Sequence, residues 1–170
     1  MLFPLILIRL QANADAISAL VTGVEDGQAR WKPEPSQWSI LEVVNHLADK
    51  EVEDFRRRLD CTLNRPYEPW PPIDPKGWLE ERSYNSRSLD KSLDRFLTRR
   101  HESLAFLQEL EAPDWNLAYE HLGLGVITAG DLLTSWVEHD HRHVRQLNRL
   151  HQDFLVKDIS AHSIRYAADE

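Results

Sequence analysis

The sequence predicts an all-α protein, a four-helix bundle with long crossover connections. Three observations predict it. Four stretches repeat apolar residues at helical spacing, none alternates well enough for a convincing strand, and the longest connection is too rich in proline for either. At 170 residues the chain suits one domain, 1–170, with its bundle core over 6–150. That length buries enough surface to fold without a disulfide or structural metal.

The first helix is expected from about Ile6 to Val24. Leu10, Ile17, Leu20, Val21 and Val24 form one stripe, and Gly23 and Gly27 weaken its C-terminal end. The opening run, MLFPLILIRL, has no basic residue before Arg9 and no clear cleavage signature, so it is read as the lead into this helix and not as a signal peptide. Pro33 and Pro35 then mark a loop over 30–38. Ser39-Ile-Leu-Glu42 is a capping box that opens the second helix, expected to run to about Leu63. Residues 64–86 hold Pro66, Pro69, Pro71, Pro72 and Pro75, which forbid a regular helix. Tyr67, Trp70 and Trp78 within the same stretch suggest a packed cover, which would lie over a site. The third helix is expected from about Ser88 to Leu110, with Arg100 in the middle of its apolar stripe. The fourth starts at a weaker cap, Thr128-Ala-Gly-Asp131, and runs to about Leu150 or a little beyond. In the tail, 152–170, Phe154, Leu155, Val156 and Ile159 are candidates to pack back on the body.

Hydrophobic residues make up 42% of the chain and charged residues 28%, a globular balance that argues against disorder. The net charge of −8 disfavours nucleic-acid and anionic-membrane partners, which need surplus Lys and Arg. No stretch is read as long enough to span a bilayer. The single cysteine, Cys61, excludes an intrachain disulfide and a cysteine-rich zinc site and fits a reducing, cytoplasmic compartment.

The eight histidines carry the functional signal. His139 and His143 are four apart on the fourth helix, stacked one turn apart beside its core-facing side. That geometry lets two imidazoles chelate one metal ion; it also fits two partly buried histidines bonded to water or backbone. A metal needs a third donor. His46, on the second helix, is the best candidate, although it lies off that helix's apolar stripe, as a surface histidine would. A site at an open end of the bundle would reconcile the two. Asp140 is either a partner that orients an imidazole, and so a catalytic candidate, or a bond to a neighbouring helix. Arg100 either forms an internal salt bridge, with Asp140 or Glu138, or binds an anionic substrate group. Trp38 and Trp136 either wall a pocket or pack the core. His141 faces the other way and is expected to be solvated.

Trp38-Ser39-Ile40-Leu41-Glu42-Val43-Val44-Asn45-His46-Leu47-Ala48-Asp49 resembles the W-S-x-x-E-x-x-x-H-L segment of the DinB-like (DinB/YfiT) superfamily. Thr128 to Leu133, followed by Trp136-Val-Glu-His139-Asp-His-Arg-His143-Val-Arg-Gln146, is similar to that family's last helix. Asp74-Pro75, Trp78, Glu80-Glu81-Arg82 and Tyr84-Asn85 resemble one branch of it. The likeness covers 6–150. It implies an unusual four-helix-bundle crossover and one divalent metal held by His46, His139 and His143. It also implies a homodimer acting on a small molecule. By that resemblance, relatives include transferases and isomerases that use a low-molecular-weight thiol, and many others that are only named as metal-dependent hydrolases.

Two readings follow. One is a metal-dependent enzyme, a hydrolase or thiol-dependent transferase, with zinc or nickel, or else iron, manganese or copper. Asp140 and Glu42 are its candidate bases, and Glu42 is already engaged as a cap. The other is a non-catalytic metal-binding, dimerisation or partner-binding module.

Overall fold

The structure is a computed structural model and describes residues 3–158. It is a four-helix bundle, as expected. Helix α1 is Phe3–Val21 and a short α2 is Asp26–Arg30. The second bundle helix has three continuous parts: α3 (Ile40–Lys50), a π-helical turn (Glu51–Arg56) and α4 (Arg57–Asn64). A single turn, α5 (Trp78–Glu81), and a 3-10 turn (Tyr84–Ser86) precede α6 (Leu89–Gln108). A hairpin, β1 (Ala118–His121) and β2 (Gly125–Thr128), leads into α7 (Ala129–Asp158).

Local signals account for most of these elements. Leu10, Ala14, Ile17 and Val21 are buried at helical spacing along α1, and Gly23, at φ +80°, turns the chain out of it. The capping box is formed: Ser39 Oγ accepts from the Glu42 N–H at 3.1 Å, and Glu42 Oε2 accepts from the Ser39 N–H at 2.9 Å. The fourth helix is capped alike by Thr128 and Asp131.

Four expectations need correction. The β1–β2 hairpin was not expected; its four-residue strands are too short for a clear alternation. The last helix continues to Asp158, so 152–158 is not a separate tail. Phe154 packs edge-on against Trp31, but Leu155 and Val156 are exposed, and Ile159 lies outside the described residues. By length and composition α1 is apolar enough to cross a bilayer, yet it packs on α6 and α7. Finally, the tryptophans of the proline-rich stretch pack on groups other than His46, His139 and His143. Trp70 lies on Tyr119, 4.3 Å between centroids, with the Arg58 guanidinium 4.9 Å from the centre of the Trp70 ring, and Trp78 is buried beside Arg82.

The core consists of two apolar clusters. Ala14, Ile17, Val44, Phe96 and Leu147 belong to one, and Leu10, Phe55, Leu104, Leu133 and Trp136 to the other. Along every bundle helix a polar residue marks the change between them: Asn13, Glu51, Arg100 and Asp140, all buried. These four form one network. Arg100 donates to both oxygens of Asp140 at 2.7 and 2.8 Å, to Glu51 Oε1 at 2.7 Å and to the Leu10 carbonyl at 2.7 Å. Asn13 donates to Asp140 at 3.4 Å, and the Trp136 indole N–H donates to Glu51 Oε1 at 2.9 Å. All four bundle helices are thus tied at mid-height.

Candidate metal centre

Helix α3 positions the first histidine. Every residue from Ile40 to Asp49 is buried, so α3 has no solvent face. Its polar residues are covered by different means. Asp49 accepts from Arg82, Arg95, Arg99 and the Tyr84 hydroxyl. His46, three residues before Asp49 and so about 60° round the helix from it, is 5% exposed and meets α7. A hydropathy stripe therefore misplaces His46, because the cover on that side consists of imidazoles and Trp38.

His46, His139 and His143 converge. The Nε2 atoms of His46 and His139 are 3.1 Å apart, and those of His143 and His139 are 3.2 Å apart. All three candidate ligand atoms lie within 4.8 Å of one another. Nitrogens bound 2.0–2.1 Å from a tetrahedral zinc are about 3.3 Å apart, so the set fits one cation. The cluster adjoins the Arg100 network, since Asp140 follows His139 directly, and His143 also borders a cleft with Trp38 and Gln146.

One ring is held by a hydrogen bond, and all three are electrically suited to metal. Gln146 Oε1 lies 2.8 Å from His143 Nδ1; accepting that N–H leaves the Nε2 lone pair aimed at the other two rings. Burial lowers the pKa of His46 to about 2, helped by the nearby His143 and Lys50 charges. Burial takes His139 well below its usual value and His143 to about 4. All three are neutral near pH 7, as ligands must be. Trp38 lies edge-on to His46, 4.7 Å between centroids, and stacks on His143 at 6.1 Å with a 10° interplanar angle. Phe55 meets His139 at 5.1 Å and is itself stacked on Trp136.

The other candidates fall in different places. Arg100 is 1% exposed, and its guanidinium is taken by Asp140, Glu51 and the Leu10 carbonyl. Burial disfavours its charge, but Glu51 and Asp140 outweigh that and hold its pKa above the usual value. It is the internal salt bridge and not a substrate anchor; Asp140 is one partner, and Glu51, not Glu138, is the other. Asp140, fully buried and held by Arg100, is likewise no free base. Glu42 is occupied by its cap and by Lys32 at 2.7 Å. Trp136 is core, behind Phe55, whereas Trp38 walls the histidines. His141 is partly exposed beside Glu138.

Three contributors were not assigned to the site from sequence. Gln146, three residues after His143, and Lys50, four after His46, were legible from spacing. Phe55 was not. A regular α-helix sets it about 180° from His46, and the π turn rotates it toward the histidines.

The model of the DinB superfamily matches residues 9–147. This chain belongs to the DinB superfamily. As a DinB protein it has solved structural relatives. YfiT from Bacillus subtilis, described as a probable metal-dependent hydrolase with an unusual four-helix bundle topology, superposes with a TM-score of 0.79 at 21% identity. That match covers 89% of this chain and 87% of YfiT. The four-helix bundle protein TT2238 follows at a TM-score of 0.57 and 20% identity, covering 86% of this chain and 98% of that one. A curated protein of Oceanobacillus iheyensis named "putative metal-dependent hydrolase" is 29% identical over 115 residues, 66% of this chain and 64% of that protein. The match thus spans a little under two thirds of the curated relative.

Proposed function

We propose that this DinB protein is a metal-dependent hydrolase of a small molecule, with His46, His139 and His143 holding one divalent cation, zinc or nickel. The convergence of three neutral imidazoles carries this reading. The name of the Oceanobacillus relative and the description of YfiT support the reaction class. Three protein donors among the described residues, as opposed to four, suit a catalytic and not a closed structural site.

When bound, the cation supplies Lewis acidity, polarising a substrate oxygen and lowering the pKa of water to about 7. The chain's own groups do the rest. Gln146 fixes the tautomer and tilt of His143. Trp38 and Phe55 shield the imidazoles from bulk water on two sides. The Arg100 network, adjoining His139 through Asp140, holds α7 against α6 and the π turn and so positions the rings.

The test is elemental mass spectrometry on untagged protein. About one zinc or nickel per chain, lost in His46→Ala and in His139→Ala, supports the reading; equal metal in wild type and both variants refutes it. On loaded protein, an ester and amide panel run with and without small thiols follows. Product release by water assigns a hydrolase, and consumption of the thiol assigns a transferase instead. The expected homodimer belongs to the same reading and is checked by light scattering.

A further inference from the structure

The same helix that carries two of the histidines carries three arginines, one between them and two just beyond. Arg142, Arg145 and Arg149 line a cleft of about 590 Å³ whose walls include Trp38, His143 and Gln146. Steps of three and four residues place them along one side of α7. The chain as a whole is acidic, at −8, so this cationic stretch is a local feature. Its neutralisation is incomplete. Arg145 donates to Glu138 at 2.8 Å, and Arg149 stands 3.5 Å from Asp153, which also borders the cleft. Arg145, Glu138 and Arg149 are solvent-exposed and Asp153 partly so, and such pairs are weakly held. Among the described residues Arg142 has no carboxylate within 4 Å.

We propose that this cleft receives the anionic end of the substrate, a carboxylate or phosphate group gripped by Arg142 and Arg149, with the reacting bond beside His143. This rests on the hydrolase reading above. Guanidinium groups suit the task because their planar forks match the two oxygens of such an anion. A helix rises 1.5 Å per residue, so the six residues from His143 to Arg149 span about 9 Å. The substrate therefore carries its charge within about two helical turns of the bond that is cut. Trp38, nearly parallel to His143, gives the uncharged part a flat apolar wall. The site thus selects anionic substrates over neutral ones of the same size.

The experiment titrates inorganic phosphate and, separately, glutarate into the full chain, metal-free and zinc-loaded, followed by two-dimensional amide NMR. Wild type is compared with the double variant Arg142→Gln/Arg149→Gln. The expected result is shifts at the Trp38 indole and the amides of 142–149, with Kd raised about tenfold or more in the variant, since bonds to charged groups contribute about 1.5–3 kcal/mol. Zinc content stays unchanged in the variant. The tighter of the two probes identifies the anion. No shift in the cleft up to about 10 mM, equal affinity in the variant, or binding centred on Arg95 and Arg99 around Asp49 instead each overturns the proposal. Zinc uptake is read on the same samples. Anion binding in the cleft without zinc uptake refutes the hydrolase reading and leaves the anion site standing; zinc uptake without anion binding does the reverse.

Discussion

Gln146 does its work through one hydrogen bond. By accepting from His143 Nδ1 it leaves the other nitrogen free for a metal. Gln146→Ala is expected to weaken zinc binding by about 10–100-fold, measured against a chromophoric chelator, with little loss of fold because the side chain is half-buried. Arg100 is the opposite case. Its charge lies between two buried carboxylates, so Arg100→Leu strands both. Urea unfolding should show a loss of about 3–5 kcal/mol, and a loss below 1 kcal/mol would mean that solvent reaches the network. At this scale residue type alone was a poor guide. Arg100 in an apolar stripe is compatible with an anchor or a salt bridge, and only Glu51 and Asp140 within 2.8 Å decide which.

Helix α3 shows why element patterns misled. Ordinary amphipathicity assumes one wet face, and α3 has none. Its polar side is instead neutralised by arginines from the 82–99 region converging on Asp49, next to Lys50. Burial pushes the Asp49 carboxyl up, but the Tyr84 hydroxyl, Arg82 and Arg95 outweigh burial and hold its pKa below the ordinary 3.8. Its stabilising contribution is therefore complete above about pH 4 and is lost as the pH falls from there through the lower folded value. Stability measured from pH 5 down to 2 should fall less steeply in Asp49→Asn than in wild type. A parallel fall would show that Asp49 does not titrate differently on folding. The π turn is the other element-scale device. It carries Glu51 into the core network and Phe55 to His139, and periodicity counted at 3.6 residues per turn does not anticipate it.

Across the whole molecule, metal binding and folding are coupled. His46 comes from one bundle helix and His139 and His143 from another, so the unfolded chain has no assembled site. Zinc at one hundred times its Kd stabilises the fold by about 2.7 kcal/mol, which for a chain of this size raises Tm by about 5–10 °C. Calorimetry with zinc and with a chelator should show that difference in wild type and not in His143→Ala. An equal Tm in all samples would sever the link between the histidine cluster and metal.

Read by itself, the sequence determined the bundle, its caps, the boundaries of its main helices to within a few residues except at the end of the last, and the His139–His143 pair. Each of these depends on neighbours three or four positions apart, where helix geometry alone fixes what can meet. It also singled out His46, through the family pattern more than through hydropathy. The tertiary structure decided what is covered and by what. His46 is buried because α7 lies over it, and Arg100 and Asp140 are spent on each other because α6 faces α7. Phe55 reaches His139 because a π turn rotates it there. The arginine cleft opens on His143 because the 36–38 segment stops beside it. Those outcomes depend on contacts between residues 40 or more positions apart, and no local periodicity encodes them.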